Sequence, residues 1–348
     1  MLSDLRILHG PYLQDIMQQP AALERTCKML APSAALSKLI ERVRQQEFAR
    51  IVLTGMGSSF HALHPLTLEL IRQRYTALAV ETAELVHYQE SFLDTPTLLI
   101  AVSQSGRSAE IVRLLEINQK RAAILAITNT PESLLAREAD AGMVTSAGDE
   151  FSVSCKTYVC ALLALKWFGD LLKSEDQQGK NELAMAPSAV ATYLERWEDH
   201  VRELGALLNN IRHLFFVGRG PSLAAVGTGA LIVKESTHFH AEAMSSASFR
   251  HGPIEMLNGE TLVLVFSGDP KTAELNRRLV QDIRDRRGSA ELVSAEASGQ
   301  ALRLPSAPRS ISPVLEILPL QMITLTLAVL TGREPGRFAF ASKVTTTE

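Results

Sequence analysis

Apolar residues recur at spacings of three and four over residues 11 to 47, which predicts helix there. From Ile51 the pattern changes to short continuous apolar runs: Ile51-Val52-Leu53, Leu78-Ala79-Val80, Leu98 to Val102 and Ala123 to Ile127. Stretches with helical spacing separate them, the clearest at residues 60 to 73. Continuous apolar runs alternating with helices predict a parallel sheet covered on both faces. Two of the runs end in loops of small polar residues, Gly55-Met56-Gly57-Ser58-Ser59 and Ser103-Gln104-Ser105-Gly106.

The same order returns about 163 residues later. Arg212 to Val217 predicts a strand, and Gly218-Arg219-Gly220-Pro221-Ser222 takes the place of Gly55 to Ser59. Thr261 to Glu274 aligns with Thr97 to Glu110, setting Ser267 opposite Ser103, Thr272 opposite Ser108 and Glu274 opposite Glu110. An α/β domain has been duplicated within the chain. The expected organisation is a helical segment over 1–46, a first α/β domain over 47–185, a second over 186–333 and a tail over 334–348. Residues 155 to 209 hold long helical stretches, with a polar linker around Ser174 to Lys180. Residues 313 to 331 predict a last apolar helix.

Composition narrows the partners. A chain of 348 residues suits two domains. A formal net charge of -3 supplies no basic field for nucleic acid. No apolar run reaches the roughly 20 residues that span a bilayer, and Met-Leu-Ser-Asp-Leu-Arg at the start is not read as a signal peptide. Cys27, Cys155 and Cys160 make neither an even framework nor a CxxC pair, so reduced thiols in a cytoplasmic protein are expected. Cys155 and Cys160 read as small core residues of a helix.

In an open parallel sheet, ligands sit beyond the carboxyl ends of the strands. Gly55, Gly57 and Gly106 let the backbone approach an anion, and the hydroxyls of Ser58, Ser59, Ser103, Ser105 and Ser108 donate to it, beside Gln104. Serines at such places are often plain helix caps, but two facing loops crowded with hydroxyls favour a phosphate. The second copy reads Ser267-Gly268-Asp269-Pro270, where Asp269 repels a phosphate and Pro270 removes a donor. One phosphate site, in the first copy, is therefore expected. The stretch Gly55-Met56-Gly57-Ser58-Ser59-Phe60 is also close to a dinucleotide fingerprint, with Glu81 ending the next strand. Its third glycine is missing, and that scheme gives the serine loop no role. Glu235 with His238 and His240, near His251 in sequence, suggests a metal site, but no second carboxylate–histidine pair accompanies them. Neither metal nor cofactor is expected.

The motifs Ile16-Met17-Gln18-Gln19-Pro20, Gly57-Ser58-Ser59, Val102-Ser103-Gln104-Ser105-Gly106, Gly218-Arg219-Gly220, Lys234-Glu235-Ser236, His240-Ala241-Glu242-Ala243, Arg250-His251-Gly252-Pro253 and Lys343 run in order along nearly the whole chain. In them the chain resembles the isomerase half of the glucosamine-6-phosphate synthases and the tandem SIS proteins related to it. The resemblance implies two tandem doubly wound parallel-sheet SIS domains with flanking helices, in the α/β class. It implies an enediol mechanism in which Glu235 moves a proton between C1 and C2 and His251 opens the sugar ring. It further implies that His251 comes from the partner subunit of a homodimer and that Lys343 forms a Schiff base with the keto sugar. The tail is expected to place Lys343 among apolar neighbours such as Phe338 and Phe340, where loss of water frees an amine's lone pair.

Two positions depart from the synthase pattern. Ile232 stands where it has a lysine three residues before its glutamate, and Arg107 where it has an acid. The chain also opens at the SIS-linked helix without a glutaminase domain, so no amidotransferase activity is expected of it. The expected function is a stand-alone enzyme that deaminates or isomerises glucosamine 6-phosphate to fructose 6-phosphate. The alternatives are a fructosamine-6-phosphate deglycase and a non-catalytic sugar-phosphate sensor.

Overall fold

Runs of Val, Leu, Ile and Ala become fully covered parallel strands, as their unbroken apolar character demands. The protein is described from a computed structural model over residues 4–347. The chain divides into two units. One holds Ala21–Glu150, Cys155–Ala184 and the tail from Ala341; the other holds the residues through Pro20, Phe151–Ser154 and Met185–Phe340.

In the first unit the strands are β1 (Arg50–Gly55), β2 (Ala77–Glu81), β3 (Thr97–Val102), β4 (Ala123–Thr128) and β5 (Ala141–Val144). They form one parallel sheet in the order β2-β1-β3-β4-β5. Val52, Leu99, Ala101, Ile124 and Ala126 pack from the sheet against Leu85, Val86, Ile111, Leu114 and Leu135 of the helices. Each large aliphatic side chain buried there contributes about 1.5–3 kcal/mol. Helix Lys156–Leu172 is buried along almost its whole length, and Cys155 and Cys160 lie in it or at its cap, both fully covered.

The second unit repeats the plan with β6 (His213–Gly218), β7 (Ala241–Ser245), β8 (Thr261–Phe266) and β9 (Ser289–Val293), in the order β7-β6-β8-β9. That is the first sheet without its last strand. The duplication extends to single hydrogen bonds. The amide of Ser103 donates to the Ile127 carbonyl, and that of Ser267 to the Val293 carbonyl, each at 3.0 Å.

Two expectations are corrected. The polar stretch after Ser174 is not a linker: Asp176–Leu183 is a helix. The Trp167 indole donates to Asp176 Oδ1 at 2.7 Å, and Lys180 pairs with Asp176 one turn on, which ties the polar turn down. The other correction concerns length. Arg309–Thr331 is one helical stretch of 23 residues, long and apolar enough to cross a membrane, yet 83% of its most apolar window is buried within the protein. It is a core helix of the second unit, which explains why it carries no polar face.

Candidate functional site

The strand order of the first sheet reverses between β1 and β3, the place where a doubly wound sheet opens a crevice at its carboxyl edge. Both hydroxyl-rich loops leave the sheet there. Gly55 ends β1 so close to β3 that a Cβ on it would stand 2.9 Å from the Val102 carbonyl oxygen. Gly57, at φ +53°, turns the chain into helix Gly57–Ala62, whose first turn carries Ser58 and Ser59; Ser58 is buried and Ser59 half-buried.

The loop after β3 is held from below. The Gln104 carbonyl accepts from the Asn129 amide and the Thr128 and Thr130 hydroxyls, at 3.1, 3.1 and 3.2 Å. Gly106 has φ +60°, and a Cβ there would collide with the Ser133 hydroxyl. Ser103 Oγ accepts the Gly106 amide at 3.1 Å, and Ser105 Oγ accepts the Arg107 amide at 3.4 Å. A hydroxyl that accepts keeps its hydrogen to donate, so both remain able to serve an anion. Ser108 takes the N-cap position of helix Ala109–Asn118 without a side-chain capping bond. The Ala109 amide donates instead to the Thr345 carbonyl of the tail, at 3.1 Å. Neither helix spends a serine hydroxyl on its cap, which removes the capping explanation for Ser58, Ser59 and Ser108.

The second copy has lost this arrangement. Asp269 caps helix Pro270–Asp285 by accepting the Lys271 amide at 2.8 Å. Ser222, the counterpart of Ser59, donates its hydroxyl to Glu316 Oε1 at 2.8 Å. Glu316 is fully buried, and burial pushes its carboxyl up to about 7 against the opposing effect of the Ser222 bond.

Glu235 and His251 belong to the second unit. Glu235 is half-buried in the last turn of helix Leu223–Thr237, and Ile232, one turn earlier, is fully buried. His251 is exposed at the end of helix Ser246–Arg250, before Gly252 at φ +140°. Among the described residues, no group of three or more His, Cys, Asp and Glu is placed to hold a metal ion.

Lys343 belongs to the first unit, with the hydroxyl-rich loops. The expected apolar surroundings are corrected: its ammonium meets Glu150 Oε2 at 2.5 Å, while Phe340 is fully exposed. A cation at the end of a polar tail gains more from a buried carboxylate than from aromatic faces. Glu150 was not picked out by the sequence reading. The available signal was an acid just ahead of a long buried helix whose N-cap, Cys155, makes no side-chain capping bond. Glu150 takes that role, accepting the amides of Cys155 and Thr157 at 2.9 and 3.0 Å.

Comparison with known proteins comes down on the same fold. Residues 44–168 and 207–331 each match the family model of the SIS domain. The glutamine–fructose-6-phosphate aminotransferase (isomerizing) of Pyrococcus horikoshii is 31% identical over 97% of this chain. The chain spans only 57% of that relative's length. Among solved structures, the C-terminal domain of the glucosamine-fructose-6-phosphate aminotransferase from Francisella tularensis superposes with a TM-score of 0.83 at 24% identity, covering 94% of this chain and 98% of that one. A glucosamine-6-phosphate deaminase from Thermotoga maritima gives 0.78 at 19% identity, covering 97% and 100%. At these identities the solved structures speak for the fold alone.

Proposed function

Since the chain belongs to the SIS-domain family, with two such domains in tandem, we propose that it is a phosphosugar isomerase-type enzyme that converts glucosamine 6-phosphate and water to fructose 6-phosphate and ammonia. The observation that carries this reading is the pair of loops at the β1/β3 switch point, whose serines leave their hydroxyls uncommitted to caps. A phosphate monoester takes several such donors at once.

In this reading Ser58, Ser59, Ser103, Gln104, Ser105 and Ser108 hold the phosphate, with Gly55, Gly57 and Gly106 shaping the loops. His251, supplied by the partner subunit of a homodimer, helps to open the pyranose. Glu235 then takes the proton from C2 and returns it to C1, through an enolamine. The product is an imine at C2. Lys343 exchanges with the bound nitrogen and releases ammonia; water hydrolyses the lysine imine to the ketose. General-base transfer of this kind is worth about 10²–10⁴ in rate. The Pyrococcus relative is named for fructose 6-phosphate and the Thermotoga structure for glucosamine 6-phosphate, which supports the choice of substrate. No metal or cofactor enters the scheme.

Ammonia and fructose 6-phosphate are measured from glucosamine 6-phosphate, beside amine release from fructosamine 6-phosphates. Ammonia release that falls about 10³-fold in Glu235→Gln supports the reading. Turnover of fructosamine 6-phosphates alone makes the protein a deglycase, and binding without turnover makes it a sensor; either result overturns the proposal.

A further inference from the structure

Glu150 carries more hydrogen bonds than any structural need of its own explains. Its side chain has no exposure at all. Oε1 accepts the Cys155 and Thr157 amides; Oε2 accepts the Thr157 hydroxyl at 2.6 Å and the Lys343 ammonium at 2.5 Å. Both oxygens are fixed by the N-terminus of helix Lys156–Leu172, where the helix dipole favours an anion.

We infer that Glu150 is the positioning residue of Lys343, holding its ammonium in a fixed resting pose from which the amine must be released before it reacts. This rests on the reading that Lys343 forms an imine with the sugar. The tail is fastened at a second point by the Thr345 carbonyl, which accepts the Ala109 amide directly after the Ser103–Ser108 loop. Between the two fastenings, Lys343 is carried beside the phosphate loop on the unit that holds it. A free lysine side chain has four rotatable bonds' worth of freedom to lose. The buried carboxylate supplies the return for ordering it in advance.

The same contact sets the charge state of the carboxylate. Burial would push the Glu150 carboxyl up, but the Lys343 ammonium and the two Thr157 donors outweigh it and hold the group below its ordinary value. A carboxylate so stabilised is a poor proton acceptor. An ammonium has no lone pair, so the contact must open and the proton pass to solvent. The neutral nitrogen then attacks C2 of the substrate imine, its C–N bond forms, the substrate nitrogen leaves as ammonia, and the lysine imine results; from added fructose 6-phosphate the same attack on the C2 carbonyl carbon expels water. Glu150 thereby keeps Lys343 unreactive in the empty enzyme. The cost of opening is shared with the tail, because a buried carboxylate stripped of its partner is itself unfavourable.

The test labels the sugar-free protein with a trace of an acylating reagent and follows Lys343 by peptide mass spectrometry, with exposed Lys38 of the same unit as reference. Lys343 is expected to react about 10-fold more slowly than Lys38, the worth of one charge-assisted bond. In Glu150→Gln the protection is lost, since the amide still accepts the two backbone donors but no longer pairs the cation, and Glu150→Asp restores part of it. Equal rates at Lys343 and Lys38 in the unmutated protein overturn the inference without any variant, as does unchanged protection in a folded Glu150→Gln. Borohydride with fructose 6-phosphate reads the imine separately. Protection without an adduct supports the contact and removes the imine; an adduct without protection keeps the imine and removes the part assigned to Glu150.

Discussion

Ser222 satisfies one oxygen of Glu316, and the other receives no hydrogen bond. A buried carboxyl in that state prefers to stay protonated. Its folded value, about 7 against an ordinary 4.5, lies above that of the unfolded chain. The stability it contributes is therefore fully present below about pH 4.5 and is lost as the pH rises through about 7. The span is worth about 3 kcal/mol. Glu316→Gln, uncharged at every pH, should match the parent at pH 4.5 and melt several degrees above it at pH 8.5. A melting series across that range checks this; parallel curves for the two proteins would show that Glu316 ionises freely in the fold. The sequence gives no hint of this carboxyl, because its environment is made by Ser222, which lies 94 positions away. The Glu150–Lys343 pair, 193 positions apart, was hidden for the same reason.

At the scale of elements, far more was legible. A strand buried on both faces must be apolar throughout: β1, β2, β3, β4 and β6 stand out in the sequence as apolar runs and β8 follows from the repetition, whereas β7 (Ala-Glu-Ala-Met-Ser) and β9 (Ser-Ala-Glu-Leu-Val) carry acids and are only partly covered. The short β5, Ala-Gly-Met-Val, has too few residues to stand out. The helix Asp176–Leu183 was misread because its polar side chains are held by Trp167 and by its own i,i+4 pair rather than by an apolar face. The hydroxyl loops were found from composition alone, yet only the structure distinguishes them from caps. Their asymmetry gives a prediction for fructose 6-phosphate binding. Ser103→Ala with Ser105→Ala removes two bonds to a charged group and should weaken affinity at least about 100-fold. Ser267→Ala, beside the Asp269 cap, should leave it within about 2-fold, inside the cost of an ordinary surface change. Calorimetric titration reads both, and equal losses would mean that the two copies share the ligand.

For the whole molecule, the duplication leaves one copy with the hydroxyl loops and the docked lysine, and the other with Glu235 and His251. In the proposed function the site is completed across a homodimer, with Glu235 and His251 drawn from different chains. Glu235→Gln and His251→Ala proteins, each inactive, should regain up to about a quarter of parental activity per subunit when mixed and allowed to exchange, if each composite site draws the two residues from different chains. Co-purification of the untagged variant through an affinity tag on the other establishes the exchange, and its success without recovered activity would place both residues in one chain. The thiols carry a practical consequence. Burial pushes Cys160 up to about 12 and Cys27 up to about 11, and Cys155 is fully covered. The three thiols should therefore react slowly with maleimides at neutral pH. A single cysteine introduced on the exposed tail, for instance at Thr346, should carry a fluorophore ahead of the native thiols, so that the departure of the tail from its resting place becomes a quantity one can time.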